Sequence, residues 1–166
     1  VIVGINPGRR SGATGHHYAW PGNHFWPVLH ESGIIPEPTT FADDRRVLEW
    51  GIGLTNLCDR TTRSADELTR EEMREGAERL RSKLLHFRPR VVCFNGKGIY
   101  EAFSGRKSIS FGLQPETLEG MLMFVVPSSS ARTAAYQRDA KVAYFRDLKR
   151  LVEDLRAGRP PAGARP

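Results

Sequence analysis

Apolar residues along this chain fall into short β-branched or aromatic runs separated by longer stretches in which they recur every three or four positions. Val1–Gly8, VIVGINPG, reads as a buried strand stopped by Asn6-Pro7-Gly8. Three more runs behave alike. WGIGLTNL (50–57) ends at Asn56, VVCFN (91–95) at Asn95, and MLMFVV (121–126) runs into Pro127 and Ser128-Ser129-Ser130. Between them, Thr69 and Glu72 form a T-x-x-E capping box ahead of Met73, Ala77, Leu80 and Leu84, which marks a helix. A second helix is expected at NHFWPVLHESG with Asn23 as its cap, a short one at IYEAF, and a last one over about 139–155 with Phe145, Leu148, Val152 and Leu155 on one face. Residues 9–22 read as a long loop, and 34–49 as irregular with a short helix near 43–49. Alternating strands and helices predict an α/β fold, a three-layer α/β/α sandwich on a mainly parallel sheet.

The 166 residues suffice for one domain, and 39% hydrophobic with 27% charged residues fits an ordinary globular chain. The longest apolar run is cut by Pro127, short of a bilayer span. Cys58 and Cys93, distant and in apolar settings, read as reduced thiols of an intracellular protein. The first strand starts at the first residue, so an upstream segment is expected. The Pro/Gly/Ala-rich end, 157–166, reads as a flexible tail following a domain at 1–156. A charge of +6 favours a polyanionic partner, since excess Lys and Arg raise affinity for phosphates without reading sequence.

The strand ends sharpen this. In parallel sheets ligands bind at the carboxyl edge, and here that edge collects Asn6, Asn56, Asn95 and three serines with hardly a carboxylate. Amides and hydroxyls read the edge of a neutral polar ring but make a poor divalent-metal site. Arg9, Arg10, Arg60, Arg63, Lys97 and Arg132 stand nearby, so a heterocycle attached to phosphates is the expected ligand. His16 and His17, with His24 and Cys58, match no zinc spacing. Tyr18 and Trp20 offer aromatic faces for base stacking. GINPGRRSG lacks the G-x-G-x-x-G order of a dinucleotide site, and neither a phosphate-binding Walker loop nor a nucleophile elbow is present.

GINPG (4–8), GHHY (15–18), PGNHFW (21–26), GIGLTNL (51–57), FNGK (94–97), FGLQP (111–115) and PSSSAR (127–132), in that order, resemble the mismatch-specific uracil/thymine-DNA glycosylases. The resemblance is closest to the thymine-DNA glycosylase branch, because of Asn56 and SSSAR. It implies the uracil-DNA glycosylase fold and a monofunctional enzyme without metal or cofactor. That enzyme would hydrolyse the N-glycosidic bond of uracil or thymine opposite guanine and so start base excision repair. By matching position, Asn6 would hold the attacking water, and His17, Tyr18, Asn23 and Asn56 would receive the flipped base. Lys97, Ser128, Ser129, Ser130 and Ala131 would contact DNA, and Arg132 would fill the vacated helix. The implied partner is double-stranded DNA with G·U or G·T mismatches, or its abasic product, bound by a monomer with no membrane association, in bacterial cytoplasm or nucleoid or a eukaryotic nucleus. The alternatives are a uracil-only glycosylase and a catalytically weak mismatch or abasic-site binder.

Overall fold

A computed structural model describes residues 1–131 and 137–161. Its centre is a five-stranded sheet of order β2-β1-β3-β5-β4, made of β1 (Ile2–Gly4), β2 (Leu54–Asn56), β3 (Val91–Asn95), β4 (Gly112–Leu118) and β5 (Met121–Val126). All neighbours run parallel except β4, which lies antiparallel on β5. The helices are α1 (Arg9–Thr14), α2 (Phe25–Glu31), α3 (Arg70–Phe87), α4 (Lys97–Ser104) and α5 (Arg138–Arg156). This is the expected α/β/α architecture with its mainly parallel sheet.

Period-two alternation divides the strands between two cores. Ile2, Val91, Cys93, Phe124 and Val126 face α2 and α5, joined by Phe25, Val28, Leu29, Phe145 and Leu148. Val3, Val92, Phe94, Met123 and Val125 face α3 and α4, joined by Leu80, Leu84, Ile99 and Phe103. Cys58 and Cys93 are buried free thiols. Among the described residues no helix is long and apolar enough to cross a membrane.

Several boundaries differ from expectation. The stretch read as loop contains α1, whose sequence RRSGAT buries no residue and so carries no amphipathic signal; it ends at Gly15, with φ of 73°. The second strand shrinks to three residues because Trp50 closes a 3₁₀ segment (Phe41–Trp50) and Gly51, at φ of 75°, turns the chain. MLMFVV is the fifth strand. The fourth, GLQPETL, contains Pro115 and shifts register between Leu113 and Thr117, both tolerable on an edge. Helix α2 starts at Phe25 with His24 in the cap position, yet Asn23 does the capping, its Oδ1 accepting from the Phe25 N–H at 2.9 Å. Of the expected tail, Ala157 to Arg159 bond back onto the end of α5, and residues 162–166 lie outside the described residues.

Strand order fixes where a ligand fits. From β1 the chain goes to β2 on one side; from β3 it goes, by way of the edge strand β4, to β5 on the other. The connections therefore diverge between the carboxyl ends of β1 and β3 and open a crevice there.

Candidate active site

That crevice is a cavity of about 480 Å³. Its wall carries Asn6, His17, Tyr18, Asn23, Asn56, Ser128 and Ser130, which brings together most of the residues singled out from sequence. Two cavities of about 520 Å³ lie elsewhere, one at the amino end of the sheet against Trp50 and Arg156, the other between α3 and α4. Neither gathers comparable chemistry.

Asn6 follows β1 directly, and its amide is fixed from both sides. Nδ2 donates to the Arg60 carbonyl at 2.8 Å and to Thr62 Oγ1 at 2.7 Å. A carbonyl only accepts, so the bond to Arg60 decides which end of the amide is nitrogen. Among the described residues, Oδ1 is left as the free polar atom that Asn6 presents. The tether reaches back to α3. The Arg60 guanidinium grips Glu72 (Nη2 to Oε2, 3.0 Å), which also closes the capping box with Thr69. Arg60 and the Thr69 backbone hold the Glu72 carboxyl down to about 2, so it stays ionised at neutral pH.

The strap between α1 and α2 supplies the opposite wall. Asp44, 6% exposed, accepts from the His17 backbone N–H at 2.8 Å and lies 3.1 Å from His16 Nδ1. Burial lowers the His17 pKa, with the Asp44 carboxylate opposing, so the ring is neutral at pH 7. Next in the chain, Tyr18 takes φ of 53°, a left-handed conformation rare for an aromatic residue. Its ring stacks on Phe25 with centroids 3.6 Å apart. No hydrogen bond of ordinary geometry reaches its buried hydroxyl; burial pushes the phenol up, and the Asn95 amide offsets this only in part. Gly4 makes this corner possible. A Cβ there would lie 2.6 Å from Asn56 Oδ1 and 2.9 Å from the Tyr18 hydroxyl.

The serine loop after β5 is held from behind. Asn95 Nδ2 donates to Ser129 Oγ at 2.8 Å, and the Ser129 N–H donates to Asn95 Oδ1 at 2.9 Å. Ser129 is 1% exposed and so engaged, which does not fit the expected direct grip on a phosphate. Lys141, fully buried on α5, donates from Nζ to the Ser130 carbonyl at 2.8 Å, and burial lowers its pKa. His24 Nδ1 is buried without a partner among the described residues; burial and the nearby Lys141 and Arg138 charges lower its pKa.

Other expectations shift. Lys97 opens α4 with Nζ 4.3 Å from the Phe111 ring centroid, away from the cavity wall. Ala131 is exposed, and Arg132 lies outside the described residues. No described Arg or Lys lines the cavity: Arg10 rests over Phe41 and Arg60 is paired. Among the described residues no cluster of His, Cys, Asp or Glu has the makings of a metal site. Sequence reasoning missed Thr62, Asp44 and Lys141, whose partners are 56, 28 and 11 residues away. It also missed Asp59, a carboxylate on the cavity wall facing Arg79 at 3.8 Å. The polar D-R-T-T run just past Asn56 was the available signal for Asp59 and Thr62.

The model of the uracil DNA glycosylase superfamily matches residues 1–156. A protein of Schizosaccharomyces pombe named G/U mismatch-specific uracil DNA glycosylase is 39% identical over 151 residues. The match covers 85% of this chain and 46% of that protein, so the chain spans about half the length of this relative. With strand order, cavity and motif-bearing residues in agreement with that match, the chain belongs to the uracil DNA glycosylase superfamily.

Proposed function

We propose that this protein excises uracil mispaired with guanine from duplex DNA by hydrolysing the N-glycosidic bond, and that thymine opposite guanine is a second, slower substrate. The observation that carries the reading is the Asn6 amide, tied through Nδ2 at both hydrogens and presenting Oδ1 at the switch-point cavity. A water that donates a hydrogen to Oδ1 turns a lone pair away from it, toward C1′ of a nucleotide extruded into the cavity. The amide does not titrate, so it aligns the water without removing its proton.

Cleavage places positive charge on the sugar and negative charge on the departing pyrimidine, and catalysis rests on stabilising both. The Asn56 amide, half-buried and free of other hydrogen bonds among the described residues, is the group to meet the pyrimidine edge. One face of Tyr18 is taken by Phe25, and the other is left for the base. His17 and the Asn23 amide, whose Oδ1 is used by the cap, complete the pocket. Ser128 and Ser130 take the flanking phosphates, with Ser129 and Asn95 holding their loop. Extrusion costs a few kcal/mol and is cheaper at a mismatch, which favours G·U and G·T pairs before any base contact forms.

The test is single-turnover excision from duplexes carrying G·U, G·T, A·U or G·C, with single-stranded uracil DNA alongside. Excision of uracil and, more slowly, thymine opposite guanine is expected. Excision of uracil alone would remove thymine from the proposal. Tight mismatch binding without cleavage would replace it with a binding role.

A further inference from the structure

Trp20 stands where a folding argument alone would not leave it. Its side chain is the largest exposed apolar group near the cavity, at 65% exposure, and it forms part of the cavity's rim. The turn carrying it is tied on both sides. Ala19 on one side is fully buried, with its N–H donating to Ser11 Oγ at 3.1 Å. On the other, the Trp20 carbonyl accepts from the Asn23 N–H at 2.9 Å across Pro21-Gly22. Gly22 has the indole lying over it, for a Cβ there would come within 2.6 Å of Trp20 Nε1. One side of the ring thus rests on bare backbone, and the rest is open to solvent at the cavity mouth. An indole held this way loses little freedom on meeting a flat partner and removes apolar surface from water.

Resting on the glycosylase reading above, we infer that Trp20 stacks on the nucleobase adjoining the extruded nucleotide in the same strand. The exposure of the indole puts it outside the enclosure formed by Tyr18 and Asn56, so the pocketed base is not its partner. Extrusion bares one face of the neighbouring base, and an open, preorganised indole at the mouth covers it.

The experiment pairs protein and DNA changes, using a G·U duplex with a non-hydrolysable 2′-fluoro sugar at the uridine. Trp20→Ala raises Kd about 5- to 160-fold, the range of one aromatic–base stack, and Trp20→Phe restores most of the affinity. Gly22→Ala, which displaces the indole without removing it, falls between. Replacing the neighbouring base with an abasic spacer weakens the wild type but leaves Trp20→Ala nearly unchanged. Emission gives a second readout. The protein has three tryptophans, Trp26 is buried and Trp50 half-buried, so most solvent-exposed emission belongs to Trp20 and is quenched by the duplex. Equal Kd for wild type and Trp20→Ala overturns the inference, as does a spacer penalty of equal size in both. A Trp20 effect that vanishes only when the uracil itself is removed reassigns the stack to the extruded base and overturns it too. A wild type that neither binds nor cleaves uracil DNA fails the glycosylase reading itself; normal excision by Trp20→Ala with unchanged Kd fails only the stack.

Discussion

Replacing Thr62 with Val tests whether the orientation of Asn6, rather than its mere presence, sets the rate. The two side chains have nearly the same shape, and the backbone bond from the Thr62 N–H to the Pro7 carbonyl at 3.1 Å is untouched. What is lost is the acceptor 2.7 Å from Asn6 Nδ2. One amide hydrogen is then stranded beside a residue that is nearly fully buried, which costs about 1–3 kcal/mol of stability and lowers Tm by about 2–4 °C per kcal/mol. The Arg60 carbonyl still holds the other hydrogen, so Asn6 stays in place but gains freedom to rotate. If alignment of the water depends on that second tether, about 0.5–1.5 kcal/mol of it is forfeited, a fall of about 2- to 13-fold in the single-turnover rate. Asn6→Ala, which removes the group altogether, falls further, by about 100-fold or more on the scale of other transition-state hydrogen-bonding groups. The assay is excision from a G·U duplex under single turnover, with Kd measured separately on the 2′-fluoro analogue and Tm by calorimetry. Both variants keep wild-type Kd. A Thr62→Val enzyme that cleaves at the wild-type rate would refute the orientation argument, and parallel loss of binding and cleavage would make Asn6 a structural residue.

Asp44→Asn replaces two acceptor oxygens with one, so either the His17 N–H or His16 Nδ1 faces a donor unless the ring changes tautomer; excision is expected to drop about 10- to 100-fold as the strap shifts, with duplex Kd within a few-fold. Gly4→Ala drives a methyl group between Asn56 and Tyr18, and single-turnover kinetics should show excision nearly lost while the duplex still binds. For pH, His17 and His24 both have folded pKa values lowered below 6.5 by burial. The unfolded chain therefore binds more protons on the acid side, so stability is full above about 6.5 and declines as pH falls toward the folded values. Thermal melts from pH 7.5 to 5 should show that decline, and His17→Gln should flatten it; a melt independent of pH in both proteins would contradict the burial of these rings.

What the sequence disclosed depended on whether a feature was local. The capping box at Thr69 and Glu72 and the apolar spacing of α3 sit within adjacent turns, and the structure returns both. Three of the five strands carry continuous apolar runs that end in the polar residues now found around one cavity. Helix α1 was hidden because it buries nothing, and β4 because an edge strand needs neither alternation nor freedom from proline. The site splits the same way. Asn6, Tyr18 and Asn56 announce themselves as amides or aromatics at strand ends and in a loop. Asp44 and Thr62 matter only through partners that the fold brings from far along the chain. A carboxylate beside another in F-A-D-D-R-R looks like solvated surface until the structure buries one of the two.

These distant partners explain how a site built mainly of neutral groups acquires direction. An amide in water presents its oxygen and nitrogen indifferently, and a cavity lined with them has no built-in polarity. Here the polarity is imposed from outside the cavity. The capping carboxylate of α3 fixes the Arg60 side chain, Arg60 fixes its own loop, and its carbonyl fixes Asn6 nitrogen-inward. On the other side Asp44 fixes the strap whose strained Tyr18 backbone aims a ring at the same space. Charges thus stand behind Asn6 and His17 and act through hydrogen bonds, while among the described residues the wall carries no lysine or arginine and a single carboxylate, Asp59. On the proposed reading, such a wall would stabilise the leaving base through oriented dipoles. The rate would then follow how well the departing pyrimidine bears negative charge, and single-turnover excision of uracils of graded leaving-group acidity checks it: equal rates across the series would refute the dipole argument.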